Sequence, residues 1–510
     1  MNLVDHIRKI HISQLLTNAP IHPFLLAAYP IVSLLGFNID QVYAREANAS
    51  LMLSLSTTAL ALTVFWLFFK NWKLAGLLAS LLVVWFFLYG RFYEIVKGAS
   101  LFGFLIGRHR YILIAWSLFL SCIAFLLSKR KKILPVLTKY LNIFTVILLC
   151  LPLIQIWDFY FQNLRNSKTL SDINVEPFVS WSDMSKPPDI YYIVLDGYQR
   201  ADVQKDVFDI DISPFLSGLQ QMDFYIADCA QSNYTRTTLS VSSTLNMDYL
   251  DTFRSDIKPD EKPTWLLPYF KHSIVRQQLE LLGYETIVFK NPWQQMVWED
   301  ASIVYESSGT ALLSPFEYLL YQTTLVRIYL DHQEAESRKL SDYEHYEDTQ
   351  YALEQLSKIT DIPGPKFVFA HLVIPHSPFV FGPDGEHISI PEGDGRRGHR
   401  YAVNYINKRM LEILPRIIKD SKTPPIIIVA ADHGSPTGGM ENALRILAAF
   451  YAPAARSQFY ETITPVNVFR ILFDSYFNTN LGLLPDRSYY SAQGQYFNFL
   501  EVPNDCMAID

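Results

Sequence analysis

Apolar positions are spread unevenly along the chain. Up to about residue 157 they form long runs broken by short charged loops, and beyond about residue 188 they shrink to brief runs separated by amphipathic stretches. The long runs predict membrane helices, which need about 20 residues each to cross the hydrocarbon core. Five spans are read, near 20–40, 51–69, 74–95, 111–128 and 134–157. Pro20, Pro23 and Pro30 interrupt the first, which membrane helices tolerate where neighbours satisfy the freed carbonyls. A polar, Pro-containing stretch over 158–187 reads as a linker.

The brief runs predict buried strands at Ile190–Leu195, Glu285–Phe289, Lys366–Val373, Ile426–Ala430 and Leu447–Tyr451. Helical patterns over 268–282, 338–358 and 401–419 lie between them. This alternation predicts an α/β domain over 188–510, with helices on both faces of a mainly parallel sheet. The expected organisation is therefore a helical membrane domain over 1–157, a linker, and a water-soluble domain.

Charge orients this arrangement. Arg8 and Lys9, Lys70 and Lys73, and the run Lys129-Arg130-Lys131-Lys132 fall on one side of a five-span bundle, which makes that side cytoplasmic. Everything after the fifth span then lies outside. Arg91, Lys97, Arg108 and Arg110 oppose this orientation, because they fall in an external loop. The net charge of −7 leaves no basic footprint for nucleic acid. The spans hold no pair of acidic residues to couple ion movement, which argues against a transporter. Cys122 and Cys150 sit in apolar runs; Cys229 and Cys506, in the soluble part, can pair only if the fold brings them together.

Ligands of parallel sheets bind beyond the carboxyl ends of the strands, so chemistry is sought there. One strand ends in Asp196-Gly197, another in Asp432-His433-Gly434, and a third leads into Pro375-His376-Ser377-Pro378. Asp196, Asp432 and His433 form a mixed oxygen and nitrogen donor set, which suits Mn²⁺ or Zn²⁺ better than Ca²⁺. That set lacks a fourth ligand. The hydroxyl-rich stretch SNYTRTTLSVSSTLN, residues 232–246, offers one and reads as a helix, with Thr238, Val241 and Leu245 at helical spacing. A Thr hydroxyl beside a divalent cation gives up its proton more readily and becomes a nucleophile. Backbone N–H groups at a helix start also favour a phosphate or sulfate. A structural alternative is that Ser232 or Asn233 simply caps the helix.

The succession PDIYYIVLDGY, NYTRTTLSVSSTLN, HLVIPHSPF and IIIVAADHGS resembles the alkaline phosphatase superfamily. It is most similar to the sulfatase-like branch that holds lipoteichoic acid synthases and phosphoethanolamine transferases. That resemblance implies a five-helix membrane bundle and an extracytoplasmic catalytic domain. It implies one divalent metal held by Asp196, Asp432, His433 and a Thr nucleophile. Thr235 fits that role, with Thr237 and Thr238 as alternatives. His376 takes the place of a histidine that contacts the phosphoryl group, and Arg236 is a second candidate for gripping it, with His371 left on the strand. The implied activity is phosphoryl transfer or phosphodiester hydrolysis on a phospholipid head group or an envelope polymer, in a plasma-membrane protein. A formylglycine sulfatase would need a Cys or Ser followed by Pro and Arg, and Cys229-Ala230-Gln231-Ser232 has neither. Sulfate or phosphate ester hydrolysis, and a non-catalytic envelope-binding role, are the alternatives.

Overall fold

The structure is a computed structural model that describes residues 19–39, 42–102, 104–171, 177–179, 187–307, 309, 313–332, 334–390, 393–504 and 506. Arg8, Lys9 and part of the expected linker lie outside the described residues. Contacts divide the chain into two compact units, Met1–Phe161 with Ala311–Ser341, and Gln162–Thr310 with Asp342–Asp510.

The first unit is helical. Its helices are α1 (His22–Phe37), α2 (Ala47–Phe69), α3 (Trp72–Phe87), α4 (Tyr89–Val96), α5 (His109–Lys129) and α6 (Leu134–Ser171). Among the described residues three helices are long and apolar enough to cross a membrane, or four if the bent pair α3 and α4 forms one span. The 16 residues of α1 fall short of that length: at about 1.5 Å per residue they reach roughly 24 Å, against a core of about 30 Å. Pro23 sits at the start of α1, and the helix therefore begins only there. At the other end of the unit, α6 runs into the stretch expected to be a linker. Residues 158–171 contain neither Gly nor Pro, so nothing in them stops a helix.

A segment from the middle of the soluble sequence also belongs to the first unit. Ser314 and Glu317 form a reciprocal capping box that starts α7 (Pro315–Gln322). Phe316 and Leu320, one helical turn apart, pack in a core with Ala27, Ile31, Val83 and Phe87. The Gly90 N–H donates to the Thr323 carbonyl at 2.9 Å. A Cβ at position 90 would lie 2.1 Å from the Gln322 carbonyl oxygen, so this approach requires glycine. Arg327 pairs with Glu94 and Asp331.

Besides a small antiparallel pair, Tyr489–Tyr490 with Leu500–Glu501, the second unit is built on one sheet of seven strands. They are β1 (Ile190–Leu195), β2 (Tyr225–Ile226), β3 (Glu285–Phe289), β4 (Ile303–Tyr305), β5 (Lys366–Leu372), β6 (Ile426–Ala430) and β7 (Ala448–Tyr451), in the order β2-β7-β6-β1-β5-β3-β4. Strands β6, β1, β5, β3 and β4 are parallel, and β7 and β2 join antiparallel at one side. Every residue of β1 is buried, as its unbroken apolar run requires of a strand covered on both faces. Because β1 lies between β5 and β6 in parallel register, the carboxyl ends of all three open on one edge. Cys229 and Cys506 are joined in a disulfide, Cα atoms 5.5 Å apart.

Candidate metal centre

Three strand ends meet at that edge. Asp196 follows β1 directly, and the turn there is completed by Gly197 at φ +73°, a conformation glycine adopts without strain. The Gly197 N–H donates to Asp432 Oδ1 at 3.3 Å, linking the β1 turn to the β6 turn. His433 Nε2 lies 3.6 Å from Asp196 Oδ1 and 3.5 Å from Asp432 Oδ2. Both carboxylates are fully buried, and these two oxygens have no hydrogen-bond partner. An unpaired buried carboxylate oxygen is costly, and two beside one imidazole nitrogen fit a cation. The His433 Nδ1–H donates to the Gly434 carbonyl at 2.7 Å, which leaves the Nε2 lone pair facing the carboxylates. The donor set Asp196, Asp432 and His433 therefore suits one divalent metal ion.

His371, near the end of β5, completes the support of this centre. Its Nε2 lies 3.2 Å from Asp196 Oδ2, and its Nδ1 lies 3.4 Å from the Asn291 side-chain amide. An amide hydrogen on Nδ1 fixes the tautomer that donates to Asp196. Burial pushes the Asp196 carboxyl upward, but the His371 hydrogen bond and the nearby His376, His371 and His433 outweigh it and hold the group below the usual carboxylate range. Burial likewise disfavours charge on His433, and the Asp432 and Asp196 carboxylates reverse that and raise it.

The hydroxyl-rich stretch supplies the helix α8 (Thr237–Asn246). Its N-cap is Arg236, which makes no side-chain cap bond, so neither Ser232 nor Asn233 caps it. Ser232 instead donates to the Asp432 carbonyl and lies against Ser240, bracing the β6 turn from beneath. Asn233 spans to Arg487 and Val466. The three candidate threonines point to different places. Thr235 Oγ1 accepts the Ser491 N–H at 3.4 Å, and Thr238 Oγ1 faces Met296 Sδ at 3.9 Å. Thr237, the first residue of α8, places Oγ1 3.3 Å from His433 Nε2. Of the three hydroxyls, that of Thr237 meets the His433 imidazole.

A cavity of about 630 Å³ opens above the centre, lined by Thr235, Arg236, His376, Arg396, His433 and Ser491 among others. His376 stands on its wall between two cis Xaa-Pro bonds, within a ring-to-ring distance of 6.0 Å from His433. It joins Asp196 and His433 in one set of converging donor atoms, and Asp196, His371 and Asp432 form another.

No protein-family model matches the sequence, and no curated protein matches it. Solved structures do. One is the integral membrane lipooligosaccharide phosphoethanolamine transferase A (EptA) from Neisseria meningitidis, 10% identical over 89% of this chain and 96% of that one, TM-score 0.39. The zinc complex of the C-terminal periplasmic domain of EcEptC from Escherichia coli is 10% identical over 66% and 98%, TM-score 0.43. The lipoteichoic acid synthase LtaP from Listeria monocytogenes is 10% identical over 62% and 78%, TM-score 0.38.

Proposed function

We propose that this chain is a membrane-anchored, metal-dependent phosphotransferase or phosphodiesterase with Thr237 as its nucleophile. The observation that carries the reading is the meeting of two buried, unpaired carboxylate oxygens, the Nε2 of His433 and the Thr237 hydroxyl that contacts it at the start of a helix. Asp196, Asp432, His433 and Thr237 would hold one Mn²⁺ or Zn²⁺. When bound, such an ion lowers the pKa of a hydroxyl beside it and offsets phosphoryl charge.

The chain's own residues do the rest. Thr237 Oγ1 forms a bond to phosphorus as the ester bond to the leaving alcohol breaks, and its proton passes to solvent. In this reading His376, which lines the cavity, touches the phosphoryl group and protonates the departing alkoxide. Uncapped N–H groups at the start of α8 face the same charge. An acceptor alcohol or water then attacks the phosphothreonine and restores the hydroxyl. A helical unit with several apolar helices suits a lipid-borne substrate. The Cys229–Cys506 disulfide suits an oxidising, extracytoplasmic compartment, as does the basic run 129–132.

The test is turnover of a 4-nitrophenyl phosphodiester and of defined phospholipids by the detergent-solubilised chain with Mn²⁺ or Zn²⁺ supplied. Thr237→Ala is expected to lower kcat by more than about 10³-fold, the scale of losing a nucleophile, and to abolish a phosphorylated peptide spanning 232–246. Thr235→Val is expected to keep the phosphopeptide. The opposite pattern returns the role to Thr235; turnover that survives both substitutions removes the threonine mechanism.

A further inference from the structure

His376 stands on a turn, and a turn holds a side chain only as well as its own backbone is held. The last ladder bond at the end of β5 runs from the Asp196 N–H to the Leu372 carbonyl at 3.0 Å. Beyond it the chain passes through Val373, Ile374 and Pro375, all buried, to the half-buried His376. Buried carbonyls outside a ladder still need donors. Two histidines on separate helices supply them.

His345 lies in α9 (Glu334–Leu356), and its Nε2–H donates to the Val373 carbonyl at 2.8 Å. His399 lies in α10 (Gly395–Asp420), and its ring hydrogen-bonds the backbone of Pro375. Proline has no N–H, so the acceptor there is the Pro375 carbonyl. Both rings are buried and packed in place. His345 meets the Phe381 ring edge-on, and His399 lies 4.4 Å from the Phe208 ring. Helix α10 also presses on the far side of the turn, where a Cβ at Gly398 would lie 2.6 Å from the Phe379 side chain. Burial pushes both imidazoles down to about 4, so at neutral pH neither offers a positive charge to a substrate. What each one offers is a hydrogen bond to the backbone that carries His376.

We propose that His345 and His399 are positioning residues, which clamp the two carbonyls leading into His376 and thereby aim its ring at the leaving oxygen. The inference rests on the phosphodiester reading, in which His376 is the proton donor, and names what holds that donor on target. The His376 Nδ1–H donates to the Ser377 carbonyl at 2.6 Å, so the ring is fixed within its own turn and Nε2 remains for the reaction. As the bond from phosphorus to the leaving oxygen breaks, the Nε2 proton passes to that oxygen and the ring is left neutral. A misplacement of about 1 Å in such a group can cost about 10²-fold in rate. Loss of either carbonyl contact is therefore felt at the proton transfer, and the metal ligands, which stand on other turns, are spared.

The test compares two diesters that differ only in the leaving group, methyl 4-nitrophenyl phosphate and methyl phenyl phosphate, with the detergent-solubilised full chain and Mn²⁺ supplied. Phenolate, whose conjugate acid has a pKa of about 10 like that of Tyr, needs the proton more than the weakly basic 4-nitrophenolate does. His345→Leu and His399→Leu are each expected to lower kcat for the phenyl ester by about 10- to 100-fold and for the nitrophenyl ester by less than about threefold. The Mn²⁺ concentration for half-maximal turnover is expected to stay at the wild-type value. His345→Gln, which keeps a donor, is expected to recover part of the phenyl activity. Added to His376→Ala, His345→Leu is expected to lower neither rate further, because it acts only through that ring. Both esters report on the same folded molecules, so their ratio is insensitive to partial unfolding, and His345→Phe takes the place of a leucine variant that does not fold. An equal fall for both esters, or a further fall in the double variant, overturns the clamp. A ratio left unchanged by His376→Ala itself removes the proton donor and the clamp with it. Failure of the Thr237 nucleophile is separate, because the phosphopeptide reads it and the leaving-group ratio does not.

Discussion

Two buried carboxylates in the second unit are handled in opposite ways. Asp196 and Asp348 are both nearly inaccessible, at 0% and 3% exposure, and burial disfavours charge on each. Around Asp196, the His371 hydrogen bond and three imidazoles overturn that effect and keep the carboxyl ionised. Around Asp348, a 2.6 Å hydrogen bond from Ser307 and the charge of Lys290 do not overturn it, and the carboxyl is raised to about 6. Lys290 is shared there with Glu306 and Glu344, at 3.0 and 2.9 Å, so its charge is already spent on two partners. Burial therefore does not mark a functional acid. What separates the two sites is whether ionised oxygens are left unpaired, and only the Asp196 cluster leaves them so.

The largest expected effect comes from removing one of those oxygens. Asp432→Asn keeps the oxygen that accepts from Gly197 and replaces the unpaired Oδ2 with an uncharged amide. Bound metal, read by elemental analysis after gel filtration, is expected to fall to background, and turnover by more than about 10³-fold. In EDTA the ordering is expected to reverse, with the variant melting at or above the wild-type midpoint, because two like charges no longer share a dry pocket. Stoichiometric metal in the variant would remove Asp432 from the donor set and collapse the contrast with Asp348.

Asp348 supplies the converse experiment, of intermediate size. Its folded value of about 6 lies above the ordinary 3.8, so between those values the folded chain binds the proton more tightly than the unfolded chain. Stability from this group is therefore fully present below about pH 4 and is lost as pH rises through 6. The difference of roughly two pKa units corresponds to at most about 3 kcal/mol. Asp348→Asn is expected to raise the thermal midpoint at pH 8 and to leave it unchanged near pH 4, with turnover untouched. A stabilisation of the same size at both pH values would show that packing, not charge, governs the site.

Much of the centre is legible in the sequence because short apolar strands announce their own ends. Asp196 and the Asp432-His433 pair each follow a strand by one to three residues, and parallel pairing brings those ends together. The hydroxyl is harder to read. Arg236 is extended, at φ −144° and ψ 142°, and α8 starts immediately after it, so a shift of two residues in the helix start exchanges Thr235 for Thr237. His371 is hidden for another reason: its partner Asp196 lies 175 residues away, and a histidine inside an apolar strand gives no local sign of that partner. The same holds for Phe316 and Leu320, whose spacing identifies an apolar helix face without identifying what covers it. Strand β4, at three residues, is too short for any periodicity to register.

The smallest expected effect tests the link that separates the two acids. His371 is a positioning residue: it orients Asp196 through Oδ2 and leaves Oδ1 free toward His433. His371→Gln keeps a side-chain donor, whereas His371→Leu removes it from a fully buried position. Loss of such an outer partner typically lowers metal affinity by about 10- to 100-fold. The leucine variant is therefore expected to need that much more Mn²⁺ or Zn²⁺ for half-maximal turnover, with kcat at saturating metal within about threefold of wild type and the glutamine variant recovering part of the affinity. A fall in kcat that added metal does not restore would mean that His371 acts on the substrate itself. In that event the ionised state of Asp196 must depend on His376 and His433 alone, the two other imidazoles that lower it.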